Sequence, residues 1–392
     1  MSERTYAATE RLFDRDPGCR AFDAAVLGCE PAGDGWDVIL DRTAFFPEGG
    51  GQGADHGTLG GARVTDAHEK GGVIRHRCDA PLTPGDPVRG EIDAARRLDQ
   101  SQQHTGEHIL SGTICARFGC DNVGFHIGAD TVTVDFNRAL TDEDVALAER
   151  LANECVWRDV PVEAFVPSPE ELETIAYRSK KAIDGDVRIV RIEGADTCAC
   201  CGTHVPTTGC VGQIKVLSRI SYKGGVRLTV VCGGRALAHA NDLLAEYRAV
   251  SRLLSAKPGT LADATSRLLA ERDGLAFRLE KLAQRVFARD AEAQRGEAIR
   301  VVEAEMLAPA SLRKSAGSLA SGARFGLVLI PGEGGSSFAL CAGDGAYSAA
   351  AAAKALCERF GGRCGGSAEM AQGVLLSGDP AALRAALTEV TA

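Results

Sequence analysis

The sequence has no hydrophobic run approaching the roughly 20 residues that a membrane-spanning helix needs. Its N-terminus, MSERTYAATERLFDRDPGC, has no apolar core of a secretory signal. These absences exclude a bilayer as partner and read as a soluble, cytoplasmic chain. An excess of basic residues is missing too. The formal net charge is −9, which argues against sequence-blind binding to bulk nucleic acid, because that binding lives on phosphate neutralisation. A local basic face or a specific RNA partner stays open. Nor does the composition suggest disorder: hydrophobic residues make up 45% and charged residues 25%, an ordinary globular mixture. A length of 392 residues predicts two or three domains.

Cysteine is plentiful, with 14 in the chain. In a reducing compartment most are expected to be buried thiols acting as small hydrophobes, namely Cys19, Cys29, Cys78, Cys115, Cys120, Cys155, Cys232, Cys341 and Cys357. The cluster Cys198, Cys200 and Cys201 needs another account.

The fold class expected is α+β multidomain, in four parts. Residues 1–95 carry short apolar runs separated by glycine-rich turns (WDVIL, GTLGGARVTDA, GGVIRHRC, DPVRGEID) and read as a small β-barrel. Residues 96–240 read as an α+β domain. Its first helix runs from Asp93 to a stop at Gly119, and TVTVDFN alternates as a strand. A second helix opens on Thr141 with Asp144 three residues later, and Leu147, Leu151 and Cys155 form its apolar stripe. VRIVRI and GQIKVLSRISYKGGVRLTVVCG are expected in one antiparallel sheet. Residues 241–299 read as a helical linker in which Leu261, Leu268, Leu275 and Leu282 repeat every seven, broken at Pro258-Gly259. Either a helical hairpin or coiled coil, or an amphipathic helix on a core, satisfies that pattern. Residues 300–392 read as a small C-terminal α/β domain.

His104 and His108 are spaced i, i+4 on the predicted helix, which puts both imidazoles on one face within reach of one metal ion. Cys200 and His204 repeat that spacing in a glycine-containing turn, CCGTH. Two imidazoles with a thiolate and a third imidazole make a borderline-soft set that suits zinc, one ion per chain. Cys200 is favoured by the symmetric spacing, with Cys198 and Cys201 as alternatives. HTGEH also fits the inverted zinc-peptidase pattern, in which Glu107 would be the base, but that reading leaves Cys200 and His204 without a task.

Several motifs then converge on a family. TAFFPEGGGQGADHG, from Thr43 to Gly57, resembles the glycine-rich signature of alanyl-tRNA synthetase editing domains and their free-standing relatives. QQHTGEHILSG and CCGTHVPTTGCVGQIKV resemble their two metal motifs, VGFHIGADTVTVDF their pocket-lining segment, and KGGVRLTVVCGGRAL the end of their editing domain. GGRCGGSAEMAQG is similar to the signature of the DHH-associated C-terminal domain. The order is kept over nearly the whole chain, and the class II aminoacylation motifs are not found. The resemblance is to the long stand-alone editing proteins. It implies hydrolysis of esters of alanine tRNA, mainly seryl and secondarily glycyl, and zinc ligands at His104, His108, Cys200 and His204. Cys201 stands where many relatives have glycine, and Cys364 interrupts the glycine run. A zinc metallopeptidase and a non-catalytic RNA-binding protein with structural zinc are the alternatives.

Within that frame Glu107 is a candidate base or ammonium partner, or an exposed helix residue. Thr105 can line the pocket or pack the helix. His126 can donate to the terminal ribose or carbonyl, or sit satisfied in a core. Gly50, Gly51 and Gln52 form a loop expected to lean over the pocket, and it is not a phosphate loop because no Lys-Ser/Thr follows. Lys180, Lys181, Arg188 and Arg191 near the second motif, and Arg219, Lys223, Arg227 and Arg235 beyond it, are candidate RNA phosphate contacts. His56, His68, His76 and His239 have no partner that the sequence names. A homodimer through the helical segment or the C-terminal domain is a further expectation.

Overall fold

Residues 6–179 and 187–390 are described in a computed structural model. Contacts group the chain into two units, Met1–Tyr247 and Arg248–Ala392.

In the first unit, short apolar strands build a ring. β1 (Ala21–Ala32), β2 (Gly35–Leu40), β3 (Gly57–Leu59), β4 (Ala62–Lys70), β5 (Val73–Cys78) and β6 (Pro87–Ile92) pair in the order β1-β2-β5-β4-β3-β6. β6 pairs back onto β1, with Ala21 opposite Glu91, so the ring closes and leaves no edge. Phe22, Ala24 and Val26 of β1 and Val88 and Ile92 of β6 point inward, and every second residue between them faces out.

The helix α1 (Ala94–Phe118) starts where the ring ends. Asp93 caps it, accepting from Ala95 N and Arg96 N at 3.0 Å each, and Gly119 closes it at φ 62°. One buried ion pair fixes its first turn to the barrel. Arg97 Nε donates to Asp55 Oδ1 at 3.0 Å, while its other nitrogens reach Pro17 O and Ala44 O at 2.7 Å. Both side chains are almost fully buried, so removing either one alone would cost about 3–5 kcal/mol.

After α1 come β7 (Asn122–Ile127), β8 (Val132–Phe136), α2 (Asp142–Arg158), β9 (Val162–Phe165), β10 (Ile189–Ile192), β11 (Asp196–Ala199), β12 (Ile214–Tyr222) and β13 (Gly225–Cys232). α2 opens with the full Thr141–Asp144 capping box. Its buried stripe is Val145, Ala148, Ala152, Cys155 and Val156. Leu147 and Leu151, expected on that stripe, are only half-buried, because the smaller residues beside them allow closer packing on that face. The strands divide differently from the expectation as well. β12 and β13 belong to a four-stranded sheet, β12-β13-β8-β7, while VRIVRI (β10) is the middle of a separate sheet, β9-β10-β11. Strand pattern alone does not name a strand's neighbour.

α3 (Gly233–Leu253) carries the boundary between the units. In the second unit, α4 (Leu261–Ala293) buries Ala264, Ala283 and Phe287, whereas Leu268, Leu275, Leu279 and Leu282 are about half exposed. β14 (Ile299–Glu303), α5 (Leu312–Ala320), β15 (Phe325–Ile330), β16 (Ser336–Ala342), α6 (Ala349–Phe360), β17 (Gly362–Gly366), β18 (Met370–Leu375) and α7 (Pro380–Val390) complete it. Its sheet runs β14-β15-β16-β18-β17. The alanine run of α6 packs Ala349, Ala352, Ala353 and Leu356 into the core. Among the described residues no helix is long and apolar enough to cross a membrane.

Candidate metal centre

α1 presents His104 and His108 one turn apart, and the loop after β11 supplies Cys200 and His204. One ligand atom from each of these four side chains lies within 4.8 Å of the others. Cys200 Sγ is 3.3 Å from His104 Nε2 and 3.5 Å from His204 Nε2. Donors about 2.0–2.3 Å from a tetrahedral zinc ion stand roughly 3.3–3.6 Å apart, so the set fits that ion.

The second nitrogen of each imidazole explains why the rings converge. His104 Nδ1 bonds Gln52 Oε1 at 2.8 Å, His108 Nδ1 bonds Asp196 Oδ2 at 2.9 Å, and His204 Nδ1 bonds Thr105 Oγ1 at 3.1 Å. With Nδ1 held by protein, Nε2 is the nitrogen left for the centre. Asp196 is itself gripped by Arg178, whose Nε and Nη2 donate to its two oxygens at 2.8 and 2.7 Å.

Close packing sets the turn sequence. A Cβ on Gly202 would stand 2.1 Å from His104 Cε1, so only glycine fits between the two ligand loops. Cys201 next to it is exposed and lies outside the cluster. Cys198 is buried and forms a second possible group with His108 and Asp196. Gly51 (φ +86°) packs as tightly, since its Cβ would meet the Phe125 ring at 2.8 Å. The Phe125 ring in turn lies 5.1 Å from the His104 ring. Gly50 faces open space. Gln52 does not point into a pocket. It is buried, spending Oε1 on His104 and on Thr203 N and donating Nε2 to Thr203 Oγ1 at 2.8 Å.

The electrostatics suit a thiolate ligand. Burial opposes charge on Cys200, yet His104 and His108 outweigh it and hold the thiol well below its ordinary pKa. Burial likewise opposes charge on His108, but Cys200 and Asp196 raise its pKa well above the usual value. At His204 burial wins and lowers the pKa to about 3. Asp196 stays ionised despite its burial, through hydrogen bonds from His108 and Arg178.

The other candidates are placed as follows. Thr105 is fully buried behind His204, accepting also from Val205 N at 3.2 Å. Glu107 is neither exposed nor turned to the cluster; it is buried and accepts from Ser111 Oγ at 2.6 Å and from Asn122 Nδ2. His126 was expected near the ester. It is exposed on β7, and strand alternation turns it to the face opposite Phe125. Arg191 is half-buried, 4.9 Å over the Phe165 ring and 3.9 Å from Glu163. Lys180 and Lys181 lie outside the described residues. Several arginines proposed for phosphate are spent within the protein. Arg188 is buried and donates to Cys200 O and Gly202 O at 2.9 and 3.0 Å. Arg219, Arg227 and Arg235 pair with Asp142, Asp135 and Asp99. The residues missed in the sequence are Asp196 and Arg178, while Arg188 holds the ligand loop instead of the phosphate expected for it.

Comparison with known proteins agrees with this geometry. Residues 187–228 match the second additional domain of threonyl and alanyl tRNA synthetases, and residues 24–96 match the class II (A) tRNA synthetases. The chain is 32% identical over 303 residues to the alanyl-tRNA editing protein AlaX-L of Pyrococcus horikoshii, covering 74% of this chain and 75% of that one. It is 31% identical over 387 residues to an alanine–tRNA ligase of Halorubrum lacusprofundi and 33% identical over 393 residues to that of Pyrococcus abyssi. In both cases 93% of this chain is covered but only 42% of the ligase, so it spans about two fifths of those relatives.

Proposed function

The chain belongs to the alanyl-tRNA editing protein family, and on that premise we propose that it hydrolyses the ester joining a wrong amino acid to alanine tRNA. Serine is the main amino acid removed and glycine the second. The observation that supports a zinc-centred reading is the division of labour in the three imidazoles: each gives Nδ1 to a protein partner and turns its other nitrogen toward Cys200.

His104, His108, Cys200 and His204 would hold a zinc ion, which when bound would supply a Lewis acid for the ester carbonyl or for a water. The chain's own residues orient the reacting parts. Gln52 ties the glycine-rich loop to His104, so the loop and a ligand keep one geometry. Gly50 and Gly51 offer backbone without side chains to the substrate. Thr105 fixes the His204 ring, and Glu107 braces the helix through Ser111 and Asn122; both are positioning roles. Lys180, Lys181 and Arg191 are proposed to meet tRNA phosphates.

The four-part division holds as a proposal about labour. Residues 1–95 buttress the site, 96–240 edit, 241–299 link, and 300–392 capture tRNA. The exposed leucines of α4 suit pairing with a second copy of the chain.

The test is deacylation of alanine tRNA charged with serine, glycine or alanine, side by side. Serine should be released fastest and alanine spared. Equal rates for all three, or no release, would overturn the reading.

A further inference from the structure

An ester must reach the metal ligands through an opening, and within the first unit a cleft of about 400 Å³ counts His204 among its lining residues. One wall is apolar, made by Val162 and Ala164 of β9, and Ser101 of α1 also lines it. A carboxylate, Asp14, in the short helical turn Leu12–Arg15, lines the cleft too.

Asp14 sits beside the ligand loop. Its Oδ1 is 3.9 Å from Arg188 Nε, and Arg188 grips the carbonyls of Cys200 and Gly202 through Nη1. Its other cation, Arg11, is 3.6 Å away and is shared with Glu69. Burial raises the Asp14 pKa despite both arginines. Glu107, the acid that the sequence singled out, is committed to Ser111 and Asn122 in the packed face of α1.

An aminoacyl ester carries a free α-ammonium next to its reacting carbonyl. A half-buried carboxylate in a cleft that one of the proposed metal ligands also lines is the matching group. We propose that this cleft admits the aminoacylated end of the tRNA and that Asp14 receives its α-ammonium. The inference rests on the deacylase reading above and adds the residue that recognises the amino group.

The test compares seryl-tRNA with N-acetylseryl-tRNA, in which the ammonium is gone, using the zinc-bound full chain. The native protein should favour the free amine by ~10–100-fold in kcat/KM, the range of one charge-assisted hydrogen bond. Asp14→Asn should lose that preference by slowing the free-amine substrate alone, with zinc content unchanged, and Asp14→Glu should restore part of it. Ala164→Trp, which plugs the cleft, should slow both substrates. Absence of a preference in the native protein, equal slowing of both substrates by Asp14→Asn, or unaltered turnover in Ala164→Trp would overturn the proposal while leaving the deacylase reading in place. If the native protein releases serine from neither substrate, that reading itself falls, and the proposal with it.

Discussion

His76 in the barrel and the three histidines of the cluster are all withdrawn from water, yet their nitrogens are treated differently. Both nitrogens of His76 are taken, by Thr43 Oγ1 at 2.8 Å and by Val38 O at 2.9 Å, and Phe45 packs edge-on at 5.5 Å. In the cluster each ring has one nitrogen bonded to Gln52, Asp196 or Thr105, and the other faces its fellow ligands. A buried imidazole with both nitrogens satisfied is a core residue. Three imidazoles with one nitrogen each turned to a shared point, beside a thiol, form a group that could hold a metal ion.

The comparison is broken most directly at Cys200. Structural zinc in small sites contributes on the order of 10 kcal/mol to folding, so Cys200→Ala should lose zinc on dialysis while Cys201→Ala keeps about one per chain. Elemental analysis of the two variants decides it. Equal retention would mean that the thiol facing the histidines is not the ligand.

His76 gives the smaller effect, with the opposite signature. Burial lowers its pKa from 6.5 to about 4. Between those values the unfolded chain binds a proton that the folded chain refuses, so stability falls as pH drops below about 6.5 and levels off below about 4. The loss is roughly 3 kcal/mol. Denaturant midpoints of metal-free protein should show it, and His76→Gln should flatten that part of the pH profile. A variant that follows the native curve would remove His76 from the barrel's acid sensitivity.

What could be read in the sequence was whatever depends on near neighbours. The Asp93 cap, the Gly119 stop and the Thr141–Asp144 box lie within one or two turns of the residues they affect. His104 with His108, and Cys200 with His204, are pairs of the same local kind. Groups that act across the fold were not legible. Gln52 reaches His104 over 52 positions and Asp196 reaches His108 over 88, and no spacing encodes either contact. His126 and Glu107 were misplaced for a related reason: which face of an element a residue takes depends on its packing partner. β10 was grouped with β12 and β13 because a strand's composition is silent about which strand it pairs with. The leucines of α4 repeat as clearly as any core stripe, yet four of them are about half exposed.

The central claim is that the cluster is a zinc site needed for deacylation. Its most direct test strips the protein with a chelator, measures seryl-tRNA hydrolysis, and restores one equivalent of zinc. The account predicts that release of serine stops in the stripped, still folded protein and returns in proportion to zinc bound. Unchanged hydrolysis in folded protein shown to hold no metal would contradict it.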